Sequence, residues 1–275
     1  MIKKPVYTIL LLLLLIVFYQ PAHAQSVNND TAQIVVIKGF EIPQLKRHRS
    51  IRIYLPADYS TSKRKYPVIY MQDGQHLFSI NKTGDDNWQI DLFLKQLPAK
   101  KQCIIVAIDN SEKYRMSEYN PFDTYYGKQA GIPYAQFLVE TLKPYIDGHY
   151  RTKTDARHTA ILGSSMGGII SMYAALKYPQ VFGNAGLFSA VFWFSPKMYA
   201  SADSTAINKK SRFYFVCGDQ EGNGASAMVK MDSIVRSKGL SAKQSPATIV
   251  KGAKHDEQQW SSDFPAFYDW LIAKF

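Results

Sequence analysis

The chain has 275 residues, 46% of them hydrophobic, and a formal net charge of +11 from 33 Lys and Arg against 22 Asp and Glu. That length and composition suit one folded domain with a large core and exclude a disordered chain. The basic residues are scattered, with short clusters only at Lys46-Arg47-His48-Arg49 and Lys63-Arg64-Lys65, so they read as solvated loops and nucleic-acid binding is not expected.

Residues 1–24 have the form of a secretory signal peptide. Lys3 and Lys4 precede an uncharged apolar run from Val6 to Tyr19, and Ala22-His23-Ala24 offers small residues at the cleavage offsets. A spanning helix needs about 20 apolar residues, and Pro21 ends this run too early for one. The expectation is export to the periplasm or medium, cleavage after Ala24, no membrane anchor afterwards, and a single domain over 25–275.

Two strands are expected at Gln33 to Lys38 and Ser50 to Leu55. Pro67 to Met71 is a continuous apolar run that ends at Asp73-Gly74, as a fully buried strand would. A helix follows over Trp88 to Leu97, then a buried strand over Cys103 to Ile108. Residues 109–131 form a long polar connection, and Ile132 to Tyr145 is an amphipathic helix.

The alternation continues with a strand at Thr159 to Gly163, a helix at Gly167 to Lys177 and an apolar run at Ala185 to Phe194. Beyond it come a strand at Arg212 to Cys217, a helix at Ala225 to Ser237, a strand at Thr248 to Val250 and a helix at Phe264 to Ile272. Strands alternating with helices imply an α/β fold, with a mainly parallel central sheet covered on both faces. Cys103 and Cys217 lie in strand-like apolar runs and read as two packed thiols, although export would permit a disulfide. No metal-ligand spacing is present.

Gly163-Ser164-Ser165-Met166-Gly167 sits where a strand hands over to a helix. A serine that attacks a carbonyl must stand clear of the backbone on a tight turn, and side chains two residues either side would collide. Only Ser165 has glycine at both offsets, so Ser165 is the candidate nucleophile. It needs a histidine base held by a carboxylate, supplied in the chain order Ser, acid, His. His255 alone of the six histidines follows Ser165, just past the final strand.

The acid should lie in Gly218-Asp219-Gln220-Glu221-Gly222, where Asp219 and Glu221 both qualify. Glu221 is preferred for its reach, Asp219 being suited to capping the turn, with Asp256 a distant third. Oxyanion donors are expected from the backbone of Met166 and of Gln75. Trp88, Arg115, Tyr119 and Trp193 are candidate substrate contacts.

Several segments together resemble the bacterial putative-esterase family, which includes feruloyl and acetyl-xylan esterases, esterase D and siderophore esterases. They are Tyr66 to Gln75, Ile108-Asp109-Asn110 with Arg115 and Glu118-Tyr119, Tyr150-Arg151-Thr152, Gly163 to Gly168, and Gly252 to His255. The resemblance implies an α/β-hydrolase fold, a triad at Ser165, Glu221 and His255, and no cofactor. The chain departs from many relatives in having Asp73-Gly74 where they have His-Gly. The expected activity is hydrolysis of acyl esters of carbohydrate, feruloyl or acetyl in type. Siderophore ester hydrolysis is the alternative substrate class, and acyl transfer by the same triad the alternative reaction.

Overall fold

The computed structural model describes residues 24–29, 32–80, 87–125 and 127–275. The expected leader therefore lies outside the described residues, apart from Ala24, which opens the first strand. The strands are β1 (Ala24–Asn29), β2 (Ala32–Ile42), β3 (Arg47–Leu55), β4 (Val68–Met71) and β5 (Ile104–Ile108). They continue as β6 (Thr159–Ser164), β7 (Asn184–Phe188), β8 (Arg212–Gly218) and β9 (Ala247–Val250). The helices are α1 (Ile90–Lys95), α2 (Arg115–Glu118), α3 (Gly131–Gln136), α4 (Lys143–His149), α5 (Met166–Lys177), α6 (Lys197–Ser204), α7 (Gly224–Ser237) and α8 (Glu257–Ile272).

Among the described residues, all nine strands form one sheet in the order β1-β2-β3-β5-β4-β6-β7-β8-β9. The first three pair antiparallel, and β4 to β9 run parallel. The expected mainly parallel α/β sheet is thus present. Side chains alternate between its faces, as a period of two requires. On β5, Ile104, Val106 and Ile108 face one core, packed with α3, α4, α5 and α7. Ile105 and Ala107 face the other, packed with α1 and α8.

The chain departs from the expected elements in several places, among them strand β1 and helix α2, neither of which was expected. The helix expected over Ile132 to Tyr145 runs from Gly131 to His149 through a π-helical stretch, Phe137–Leu142, that joins α3 to α4. Helix α6 was not foreseen, because it is short and polar, and its buried anchors are only Met198 and Ala202. Helix α8 starts about two turns earlier than expected, because Asp256 caps it by accepting the Gln259 N–H at 2.9 Å and Pro265 is accommodated in its interior.

The polar connection after β5 is ordered by buried charge. Glu118 is fully buried and pairs with both Arg47 and Arg49 of β3. Asp109 meets Arg52 two-pronged, at 2.7 and 2.9 Å. Strand β4 lies between β5 and β6, all three parallel, so the order in which successive strands are added reverses at it. A crevice opens at such a switch point, beyond the carboxyl ends of the strands.

Candidate active site

Ser165 stands at that crevice, between the end of β6 and the start of α5. Its backbone is held at φ 54° and ψ −122°, a region that residues other than glycine rarely occupy. Hydrogen bonds from both sides pin it there. Its N–H donates to Phe188 O at 2.9 Å, and its carbonyl accepts from Gly168 N at 3.1 Å. The turn closes only because Gly163 lacks a side chain: a Cβ there would sit 2.2 Å from the Gly167 carbonyl oxygen. Gly167 in turn admits Gln72, whose Cβ would lie 3.1 Å from an added Cβ.

His255 arrives from the loop between β9 and α8, and its Nε2 lies 3.0 Å from Ser165 Oγ. Its Nδ1 lies 2.8 Å from Glu221 Oε2. The two loops that carry base and acid are bolted together. Asp219 N–H donates to Val250 O, and Gln220 N–H donates to Ala253 O at 3.0 Å. Gly218 lets Ala253 approach this closely, since a Cβ there would meet the Ala253 oxygen at 2.3 Å. Asp219, the other acid considered, turns away and accepts the Gly252 N–H at 2.8 Å, bracing the turn that leads to His255.

Glu221 is nearly buried, with 2% of its side chain exposed. Burial opposes its ionisation, but hydrogen bonds from His255, Ser189 and the Gly218 N–H outweigh it and hold the carboxyl below its ordinary range. The acid stays charged, and so favours the His255 tautomer with hydrogen on Nδ1 and a lone pair on Nε2, facing Ser165.

Gln75 belongs to the short turn after β4, Gly74–His76, across the crevice from Ser165. Its side-chain oxygen accepts the Asn110 N–H at 3.0 Å. Met166 is the first residue of α5, so its N–H lies at a helix N-terminus, where partial positive charge gathers. A cavity of about 550 Å³ lies against Ser165 and His255, lined also by Gln75, His76, Trp88, Arg115 and Trp260.

The four expected substrate contacts divide. Trp88 lines the cavity as an apolar wall, stacked on Phe188 with ring centroids 5.5 Å apart. Arg115 lines it while bound to Asp73, with Nε to Oδ1 at 2.7 Å and Nη2 to Oδ2 at 3.0 Å. Tyr119 is a correction. It is wholly buried beneath the turn, where its hydroxyl accepts the Asp73 N–H at 3.2 Å, so it supports that turn and faces no substrate. Trp193 is a second correction. Phe192 takes the buried position on their shared turn, which leaves Trp193 half-exposed and outside the cavity lining.

The sequence reading passed over Ser189, Trp260 and His76. Trp260 carries a weak signal, since it lies one helical turn and a residue beyond His255, at the start of α8. Ser189 has none except its place just past the end of β7. Both cysteines are free and buried, and burial pushes each thiol up to about 12. Among the described residues, no group of three or more His, Cys, Asp or Glu is placed to hold a metal ion. No described helix is long and apolar enough to cross a membrane.

Comparison with known proteins agrees with this fold. The chain is 26% identical over 243 residues to the uncharacterized protein YbbA of Bacillus subtilis, covering 82% of this chain and 94% of that one. A solved ferulic acid esterase superposes with a TM-score of 0.72 at 19% identity, over 90% of this chain and all of that one. The enterobactin esterase of Shigella flexneri superposes with a TM-score of 0.65 at 17% identity, over 92% of this chain and 59% of that one. These two likenesses speak to the fold. The family described as "Putative esterase" matches residues 42–271, nearly the whole chain, and the protein therefore belongs to that family: it is an ester hydrolase of the α/β-hydrolase fold.

Proposed function

We propose that the protein is an exported serine esterase in which Ser165 attacks the ester carbonyl, His255 accepts the Ser165 proton, and Glu221 holds the imidazole. The observation that carries this reading is the unbroken contact chain from Glu221 Oε2 to His255 Nδ1 at 2.8 Å and from His255 Nε2 to Ser165 Oγ at 3.0 Å. A serine hydroxyl is a weak nucleophile at neutral pH, and this arrangement removes its proton as the bond to carbon forms. The oxyanion then develops beside the Met166 and Gln75 N–H groups. Collapse of the intermediate expels the alcohol, which takes its proton from His255. Water attacks the acyl-enzyme by the same route in reverse and releases the acid.

For substrate, we favour acyl esters of carbohydrate, of feruloyl or acetyl type. Support comes from the cavity, where the nearly buried indoles of Trp88 and Trp260, ring centroids 6.1 Å apart, form part of the wall and suit it to a phenolic acyl group or a sugar. Residues 1–24 have the form of a signal peptide, which would bring the enzyme to such polymers outside the cytoplasm.

Turnover of p-nitrophenyl acetate by wild type and Ser165→Ala tests the nucleophile. Loss of Ser165 should cut kcat by about 10⁴ or more, and equal rates would refute the reading. Methyl ferulate, acetylated xylan and a catecholate triester, compared by kcat/KM, decide among substrate classes. Preference for the catecholate would replace carbohydrate with siderophore. Mass spectrometry of products formed with added sugar would reveal acyl transfer.

A further inference from the structure

Behind Glu221 lies a second tier of contacts that ends in the indole of Trp260. Trp260 Nε1 lies 2.8 Å from Ser189 Oγ, and Ser189 Oγ lies 2.7 Å from Glu221 Oε1. An indole N–H can only donate, so Ser189 accepts from Trp260 and its own hydroxyl hydrogen points to Glu221. Direction is therefore fixed along the whole chain. Glu221 Oε1 also receives the Gly218 N–H at 2.6 Å, which leaves Oε2 for His255.

Two further features mark Ser189 as built for this place. Its backbone takes φ 46°, in the left-handed region, and its N–H is tied to Val216 O of β8 at 2.7 Å. Among the described residues, five other than glycine have positive φ, and three of them, Asp73, Ser165 and Ser189, follow the ends of β4, β6 and β7 around the crevice. Trp260 meanwhile also sets its ring edge-to-face against His255, with centroids 5.0 Å apart and planes at 87°. One side chain thus touches the base directly and reaches the acid through Ser189.

We propose, on the premise that Ser165 is the nucleophile, that Ser189 and Trp260 are positioning residues which hold Glu221 Oε2 and the His255 ring in register with Ser165. A hydrogen-bonded chain of this kind strengthens each link by polarising the next. Titratable groups that interact with Glu221 besides His255 include Cys217, with its thiol pushed up to about 12 by burial, and Asp263 of α8, its carboxyl raised by burial and by Glu221 itself. The substitutions below leave both in place.

The test uses the full chain and p-nitrophenyl acetate, with Ser165→Ala as reference, and compares Ser189→Ala, Trp260→Phe and the double variant. Ser189→Ala should lower kcat by about tenfold, comparable to the loss of outer hydrogen-bond partners elsewhere, with KM changed less than about twofold. With one donor gone, Glu221 becomes more basic and holds protonated His255 more firmly, so the acid limb of kcat/KM should move to higher pH. Trp260→Phe keeps a ring against His255 and removes only the donor, and it should shift the limb the same way. In the double variant the effects should not multiply, because both act through one chain.

Multiplying losses, or a Ser189→Ala enzyme with wild-type kcat and pH profile, would overturn the proposal. Loss of rate with an unmoved acid limb would also overturn it, as plain structural damage. Absence of any Ser165-dependent turnover in wild type would instead sink the hydrolase reading itself.

Discussion

Asp73 and Arg115 form a two-pronged ion pair at the mouth of the crevice, and Asp73 does so from a left-handed backbone with φ 56°. Asn110 adds a third donor to the same carboxylate. The turn that presents Gln75 is thereby held by charge. The pair holds the Arg115 guanidinium firmly charged, against the opposing effect of its burial.

Arg115→Leu should therefore loosen the Gln75 turn and leave a carboxylate unpaired beside the forming oxyanion. One oxyanion donor is worth about 10²–10³ in rate, and partial loss of its aim should cost about tenfold in kcat. Steady-state kinetics would check this, and an unchanged kcat would separate the turn from the chemistry.

Glu221→Gln and Asp219→Asn distinguish the two acids. The first should lower kcat by about 10⁴, the cost of losing the carboxylate that fixes the histidine tautomer. The second loosens only the Gly252 turn and should stay within about tenfold of wild type. A larger drop for Asp219→Asn would reverse their roles.

Gly163→Ala tests the turn itself. Its methyl would lie 2.2 Å from the Gly167 carbonyl oxygen, so the strand-to-helix geometry must give way. Overpacking of this kind costs about 1–3 kcal/mol, visible as a lower urea midpoint at unchanged slope, together with loss of turnover. A variant as stable and active as wild type would show that the turn tolerates a side chain.

The carboxyl of Glu221 sits below its ordinary range in the folded protein, so its contribution to stability is present above the unfolded value, about 4.3, and fades as pH falls through the lower folded value. Any stability difference between wild type and Glu221→Gln should accordingly narrow from pH 7 towards pH 3. Urea titrations at several pH values would show it. A gap that widens in acid would mean that the carboxyl is raised instead.

The backbone plan was legible because it rests on local patterns. Short continuous apolar runs such as Val68 to Met71 and Ile104 to Ile108, too short for helices, read as buried strands, and Gly163 and Gly167 fence a single serine. His255 followed from chain order alone. What could not be read was side-chain direction within a turn. Nothing local says that Phe192 turns inward and Trp193 outward, or that Tyr119 lies under the Asp73 turn. Ser189 and Trp260 meet across 71 positions, and only the sheet order brings them together. Helix α6 escaped for a different reason: two buried anchors in eight residues leave no clear apolar stripe.

His255 hangs from β9, four residues long, half-exposed to exposed throughout, and paired among the described residues with β8 alone. Rims of this kind fray at lower temperatures than the interior of a sheet. Warming should accordingly silence the enzyme some degrees before the whole molecule melts, and cooling from that window should restore it in full. Fastening this rim is where heat tolerance would be gained first.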